Sequence, residues 1–351
     1  MNSRRRSYVR PIEVGVPYAL VFLALVIGAI VVPRFLSSGS LDSMSSTAAY
    51  VGIIAIGQTL VLLLGGIDLS IPYTLNLAAV VLTGLQAQGF SGASAVALAL
   101  LVGLGVGMVN GFGVAVLEVS PLVMTLGMNS ILEGIALIYT GGTPVGTAPS
   151  FITTLSTGVD GVPYVVMLWV GLTVVVTLVL VFTNFGRWIY SIGSNRRASE
   201  LCALPIKRTI FATYAMSGLF AGFGGILLAG YSGQAYLGMG DNYLLLSIAV
   251  VVIGGTSVFG GRGSYVQTVG GALLITIITT ALLTVGVGQD GQDILYGGVI
   301  LAMAYLNQFA VSREKWMPKS LTGGLKAFRG WLEPVRSPKD RVSSAPGTSG
   351  G

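Results

Sequence analysis

The stretch Phe185-Gly-Arg-Trp-Ile-Tyr-Ser-Ile-Gly-Ser-Asn195-Arg-Arg-Ala-Ser-Glu200-Leu-Cys-Ala-Leu-Pro205-Ile-Lys207 interrupts a chain that is otherwise almost entirely apolar. With Arg208 it gathers Arg187, Arg196, Arg197 and Lys207 into the densest charge between the two chain ends. A segment this polar belongs in water, and its Lys and Arg place it on the cytoplasmic side of a membrane. Asn195 has the chemistry of a helix N-cap and Pro205 that of a stop, so the segment reads as a partly helical docking surface.

The rest of the chain supplies the membrane. Of 351 residues, 53% are hydrophobic and 9% charged, against about 25% charged in a typical soluble domain. Gly is 51 of 351, which in a membrane protein means helices packed closely through small residues. His is absent and Cys202 is the only cysteine. That composition excludes His-based acid–base chemistry, His metal sites and an intrachain disulfide, and no metal site is expected. The net charge of +6 is the residue of the positive-inside rule and no sign of nucleic-acid binding.

Apolar runs long enough to cross a bilayer number ten, at about 15–33, 47–64, 73–88, 94–117, 120–140, 163–183, 209–231, 242–258, 264–285 and 290–311. The third and eighth are short for a straight crossing. The first is read as a retained span, because Pro33-Arg34-Phe35 follows it where a cleaved signal would carry small residues. Ten crossings return the chain to its starting side, and every Lys and Arg except Arg34 then falls in the cytoplasm. The expected fold is therefore an all-α polytopic inner-membrane protein of about ten transmembrane segments, with both termini cytoplasmic. It divides into a cytoplasmic segment at 1–14, a membrane-spanning domain at 15–311 with a cytoplasmic loop at 185–208, and a basic, partly disordered tail at 312–351. Trp316, Phe328 and Trp331 in the tail are suited to the membrane surface. An odd number of spans per half gives two inverted five-segment halves. The pairs Gly65-Gly66 and Gly254-Gly255 look like a repeat but follow spans two and eight, out of step with that division.

Two motifs break the apolar pattern. Gly65-Gly66-Ile67-Asp68-Leu69-Ser70, followed by Pro72 and Asn76, combines helix breakers with an ionisable residue. Asp68 either caps the next helix or acts directly in transport; both readings stay open from sequence. Gly254–Ser264, with Gly260, Gly261, Arg262 and Gly263, reads as a compact cytoplasmic turn; its amides and Arg262 have the makings of an anion nest, but no phosphate-loop Lys follows. Gly286-x-Gly288-x-x-Gly291 matches a dinucleotide fingerprint only formally, because no strand precedes it. Gln58, Asn76, Asn110, Glu118, Asn129, Glu133, Gln234 and Gln267 are polar residues within or beside spans, suited to interhelical bonds or to a pathway. No Walker sequence occurs.

The Gly65–Ser70 motif resembles the signature of permease subunits of bacterial ABC importers for monosaccharides of the ribose, xylose, arabinose and galactose type. Four further stretches agree in order: Ser120–Met128 running on to Tyr139–Gly142, Gly193–Ala198, Ser217–Gly225, and Gly254–Ser264. The chain departs from the pattern at Ile71-Pro72-Tyr73 and at Cys202-Ala203-Leu204, and its tail is long. The resemblance implies a dimer with a second permease copy or paralogue, an ABC ATP-binding subunit in the cytoplasm, a periplasmic sugar-binding protein outside, and membrane lipid around it. ATP and Mg would sit on the partner ATPase, with no cofactor and no catalytic site in this chain. The coupling helix would be formed by Asn195, Arg196, Arg197, Glu200, Leu201 and Pro205. An ion-coupled secondary transporter of a small polar solute is the alternative, for which Asp68 is the single strong candidate site.

Overall fold

Without water to bond the backbone, a helix is the local structure that satisfies every N–H and C=O within one segment. The computed structural model describes residues 11–158 and 163–316, and all its regular structure is α-helical. In chain order the helices are α1 (Pro11–Val31), α2 (Ser38–Leu64), α3 (Ile71–Ala87), α4 (Gly92–Ala115), α5 (Pro121–Thr140), α6 (Ser150–Thr157) and α7 (Tyr164–Phe182). There follow α8 (Asn184–Ser194), α9 (Arg196–Leu201), α10 (Ile206–Ser232), α11 (Tyr243–Ile253), α12 (Tyr265–Thr284) and α13 (Gln289–Trp316). Residues through Ala304 form one compact unit, and 305–351 a second, of which only the end of α13 is described. Of the tail at 312–351, residues 312–316 belong to α13, and of the segment at 1–14, residues 11–14 belong to α1; the rest of both lies outside the described residues.

Among the described residues, seven helices are long and apolar enough to cross a membrane: α1, α2, α4, α5, α7, α10 and α12. The segments at 73–88 and 242–258 become α3, of 17 residues, and α11, of 11. At 1.5 Å per residue neither matches a hydrocarbon core of about 30 Å. The tenth segment falls within α13, which is not among the seven. Two expected outer connections are partly helical. α2 begins at Ser38, so most of 35–46 is its first turns, and the segment 141–162 contains α6.

α10 is the hub, packed against α4, α3 and α2. Its approach to α4 depends on missing side chains. A Cβ on Gly107 would collide with the Tyr214 carbonyl oxygen, and one on Gly218 with that of Gly103. Small residues at four-residue spacing thus let the two backbones touch.

α2 and α10 are built alike. Each has 27 residues and each ends on a left-handed glycine, Gly65 at φ 89° and Gly233 at φ 76°. Each is followed by an irregular segment and then by a short helix, α3 or α11. The glycine that matches Gly65 is therefore Gly233. Gly254 keeps right-handed backbone and closes α11.

Candidate functional site

The break between α2 and α3 starts where Gly65 turns the chain. Its N–H bonds Leu62 O and that of Gly66 bonds Val61 O, both at 2.9 Å, which occupies carbonyls the helix end would leave open. The helix restarts at Ile71 with Pro72 in its first turn, where a missing N–H costs nothing.

Asp68 lies inside this break and is 2% exposed. Burial of a carboxylate demands donors, and the fold provides them. Asp68 Oδ1 accepts from Ser70 N at 3.0 Å and Ser70 Oγ at 2.6 Å, and Oδ2 accepts from Ser217 Oγ at 2.7 Å. Asn110 Nδ2 donates to Ser70 Oγ at 2.8 Å. The flanking backbone is held too: Leu69 N donates to Thr125 Oγ1 at 3.0 Å and Tyr214 Oη to Ile67 O at 3.5 Å. Residues of α4, α5 and α10 thereby grip one irregular segment. Asp68 accepts the N–H of Ser70, two residues on, an Asx-turn that leads into α3 without a side-chain cap on the helix itself, with a tether to α10 added.

The second break, between α10 and α11, reaches the start of α3. A Cβ on Gly240 would collide with Pro72 O. Asn76, fully buried on α3, donates from Nδ2 to Tyr236 O at 2.8 Å. Burial pushes the Asp241 carboxyl above the usual carboxylate range; the charge of Glu133 on α5 adds to this and a hydrogen bond from Tyr73 opposes it. The face formed there is acidic.

The basic segment is two helices. In α8, Ile189, Tyr190 and Ile192 are buried while Arg187 is exposed, so one face is seated on the body. Asn195 Oδ1 accepts from Ala198 N at 3.0 Å and caps α9. α9 leaves Arg196, Arg197, Glu200 and Leu201 in the open, Leu201 being 91% exposed. Arg196 Nε lies 3.5 Å from Glu200 Oε1, a half-exposed pair worth little in stability. Pro205 does not stop α9. The helix ends at Leu201, Ala203 takes a left-handed turn at φ 54°, and Pro205 stands at the N-cap of α10, where a residue with fixed φ and no N–H fits a helix start.

The glycine-rich turn at 254–263 joins α11 to α12 compactly. Gly255, Gly260, Gly261 and Gly263 all have positive φ, and Ser257 N bonds Arg262 O at 2.9 Å. The Gly261 amide is committed to Leu63 O at 2.9 Å, so it is not offered to an anion. Glu118, at φ 57°, lies 4.0 Å from Lys207 Nζ, and both are largely exposed. The structure therefore brings Gly65, Gly66 and the 260–263 turn together and places Asp68 and Ser70 just beyond. Thr125, Ser217 and Tyr190 lie in stretches marked by the sequence, but no contact of theirs, nor of Tyr214, is legible there, because a hydroxyl in an apolar helix is shared by many residues here.

Residues 40–304 match the family model described as branched-chain amino acid transport system / permease component. The chain is 35% identical over 304 residues to the probable ABC transporter permease protein y4mJ of Sinorhizobium fredii, covering 86% of this chain and 91% of that one. It is 31% identical over 304 residues to the autoinducer 2 import system permease protein LsrD of Escherichia coli, covering 85% and 92%. No solved structure matches. With the family model matched over most of its length and seven apolar helices long enough to span, the chain belongs to the branched-chain amino acid transport system / permease component family and is a multi-pass inner-membrane permease subunit of an ABC transporter.

Proposed function

We propose that this permease imports an uncharged polyhydroxylated solute, a monosaccharide or close relative, as one half of a permease dimer. A periplasmic binding protein delivers the solute, and ATP hydrolysis on a separate subunit seated on α9 drives it. The observation that carries this reading is α9 itself: a capped, basic, six-residue helix that exposes Leu201 to 91% in open solvent. Exposed Arg196 and Arg197, with Leu201 beside them, suit a cleft on a soluble partner.

The seven long helices with α3, α11 and α13 make ten segments. The likeness of α2–α3 to α10–α11 supports two halves of opposite sense, with both termini cytoplasmic. The acidic face at Glu133 and Asp241 favours a neutral solute over an anion. The connection at 141–162, with α6 anchored by Tyr50 Oη to Ser156 O at 2.7 Å, offers the surface for the binding protein. Asp68, with both oxygens occupied by hydroxyl and amide donors, serves the shape of the break rather than an ion site.

The test is uptake into proteoliposomes holding the chain, its ATP-binding subunit and its binding protein. Radiolabelled ribose, xylose, arabinose, galactose, autoinducer 2 and leucine are offered in turn. ATP-dependent uptake of a sugar is expected. Uptake of leucine alone would overturn the solute class, and uptake by the chain alone on a proton or sodium gradient would overturn ATP coupling.

A further inference from the structure

Three glycine-rich segments from distant parts of the chain meet backbone to backbone beside α9. They are the end of α8 at Gly193, the α2 cap at Gly65, and the α11–α12 turn at Gly260-Gly261. A Cβ on Gly193 would collide with Leu63 O and lie 2.7 Å from Gly261 N. One on Gly260 would lie 2.8 Å from Gly65 Cα. Hydrogen bonds close the junction: Gly261 N to Leu63 O at 2.9 Å, Tyr190 Oη to Gly263 O at 2.9 Å, and Ser194 Oγ to Gly261 O at 3.4 Å.

Contacts through long side chains absorb a displacement by changing rotamer. Contacts between bonded backbones have no such slack. A shift of α9 therefore passes through Ser194 and Gly193 to Leu63 and Gly65, and so to the break that holds Asp68. A cavity of about 290 Å³ adjoins the junction, lined in part by Asn195 and Arg196 on the α9 side and by Gly65, Gly66 and Tyr214 on the break side. In a close-packed interior, such a space is what allows one segment to move against another without compressing side chains.

We infer that this junction is the mechanical link between the ATPase seat and the α2–α3 break, with Tyr190, Gly193 and Gly261 as positioning residues. The inference rests on α9 being that seat. An alanine at Gly193 or Gly261 would collide with backbone, so the informative variant removes hydrogen bonds and leaves volume almost unchanged: Tyr190→Phe with Ser194→Ala.

The readout needs no transported solute. In a Cys202→Ser background, Ile67→Cys places a thiol at a half-buried position of the break. Its modification by N-ethylmaleimide is followed in the full complex with the ATP-binding subunit, without nucleotide and after trapping with ATP and vanadate. Trapping is expected to change the rate several-fold. The Tyr190→Phe, Ser194→Ala variant, which loses two hydrogen bonds of the junction, should cut that response by about twofold or more, with co-purification of the ATP-binding subunit unchanged. A parent that gives no response, or a variant with an undiminished one, overturns the link. Loss of the ATP-binding subunit from the variant also overturns it, because the junction would then build the seat instead of transmitting from it. An Arg196→Glu, Arg197→Glu variant separates the underlying reading: if it retains the ATP-binding subunit and the full response, α9 is not the seat.

Discussion

Asp68 has its two oxygens divided between two parts of the fold. One serves Ser70 at the start of α3, and the other serves Ser217 on α10. Asp68→Ala leaves a buried N–H and buried hydroxyls without an acceptor, which should cost about 3 kcal/mol. Asp68→Asn keeps the oxygen facing Ser70, and its amide can donate to Ser217 Oγ once that hydroxyl rotates. The alanine variant is thus expected to melt at a clearly lower temperature in detergent, and the asparagine variant near the parent with uptake largely retained. A stable Asp68→Asn protein without uptake would show that the charge itself acts in transport. Sequence marked Asp68 because an ionisable residue in apolar surroundings is expensive. It set Ser217 at the head of a glycine-rich stretch but gave no sign that its hydroxyl meets Asp68, 149 positions away, because one hydroxyl among several on a helix looks like ordinary packing.

At the scale of elements, the seam between α4 and α10 shows why the chain is so rich in glycine. Gly103, Gly107 and Gly111 repeat every four residues and face Gly218, Tyr214 and Phe211 of α10 at backbone distance. A methyl group there must push the helices apart. Gly107→Ala is expected to destabilise the protein by about 2 kcal/mol through overpacking. Gly105→Ala on the same helix meets nothing within 4 Å and should leave the melting temperature unchanged or raised. Equal losses in both variants would mean that glycine acts there through backbone freedom instead of close approach. The long apolar runs made the long helices legible from sequence, and the shortness of α3 and α11 was visible in the same runs. The likeness of α2 to α10 was not, since it depends on which glycine turns left-handed. Gly65 and Gly233 do, whereas the more conspicuous pair at Gly254-Gly255 divides, with Gly254 still right-handed.

For the whole molecule, the distribution of charge sets which way the body faces. All 19 Lys and Arg except Arg34 fall on one side when ten segments are threaded, and a single error of parity would scatter them across both sides. The proposal can be checked with the chain's own chemistry, because Cys202 is its only cysteine and is exposed just after α9. In intact cells stripped of their outer membrane, a membrane-impermeant maleimide should leave Cys202 untouched. In inside-out vesicles freed of the ATP-binding subunit, the same reagent should label it. A Cys202→Ser, Thr143→Cys variant moves the thiol to the exposed connection between α5 and α6, and the pattern should reverse. Among the described residues between Thr143 and Cys202, one helix, α7, is long and apolar enough to cross a membrane, so the proposed threading puts a single crossing between the two sites. Labelling of both from the same face would break the ten-segment threading at α7. If that shared face is the outer one, the exposed Leu201 also leaves the compartment that holds ATP, and with it the seat for the ATP-binding subunit.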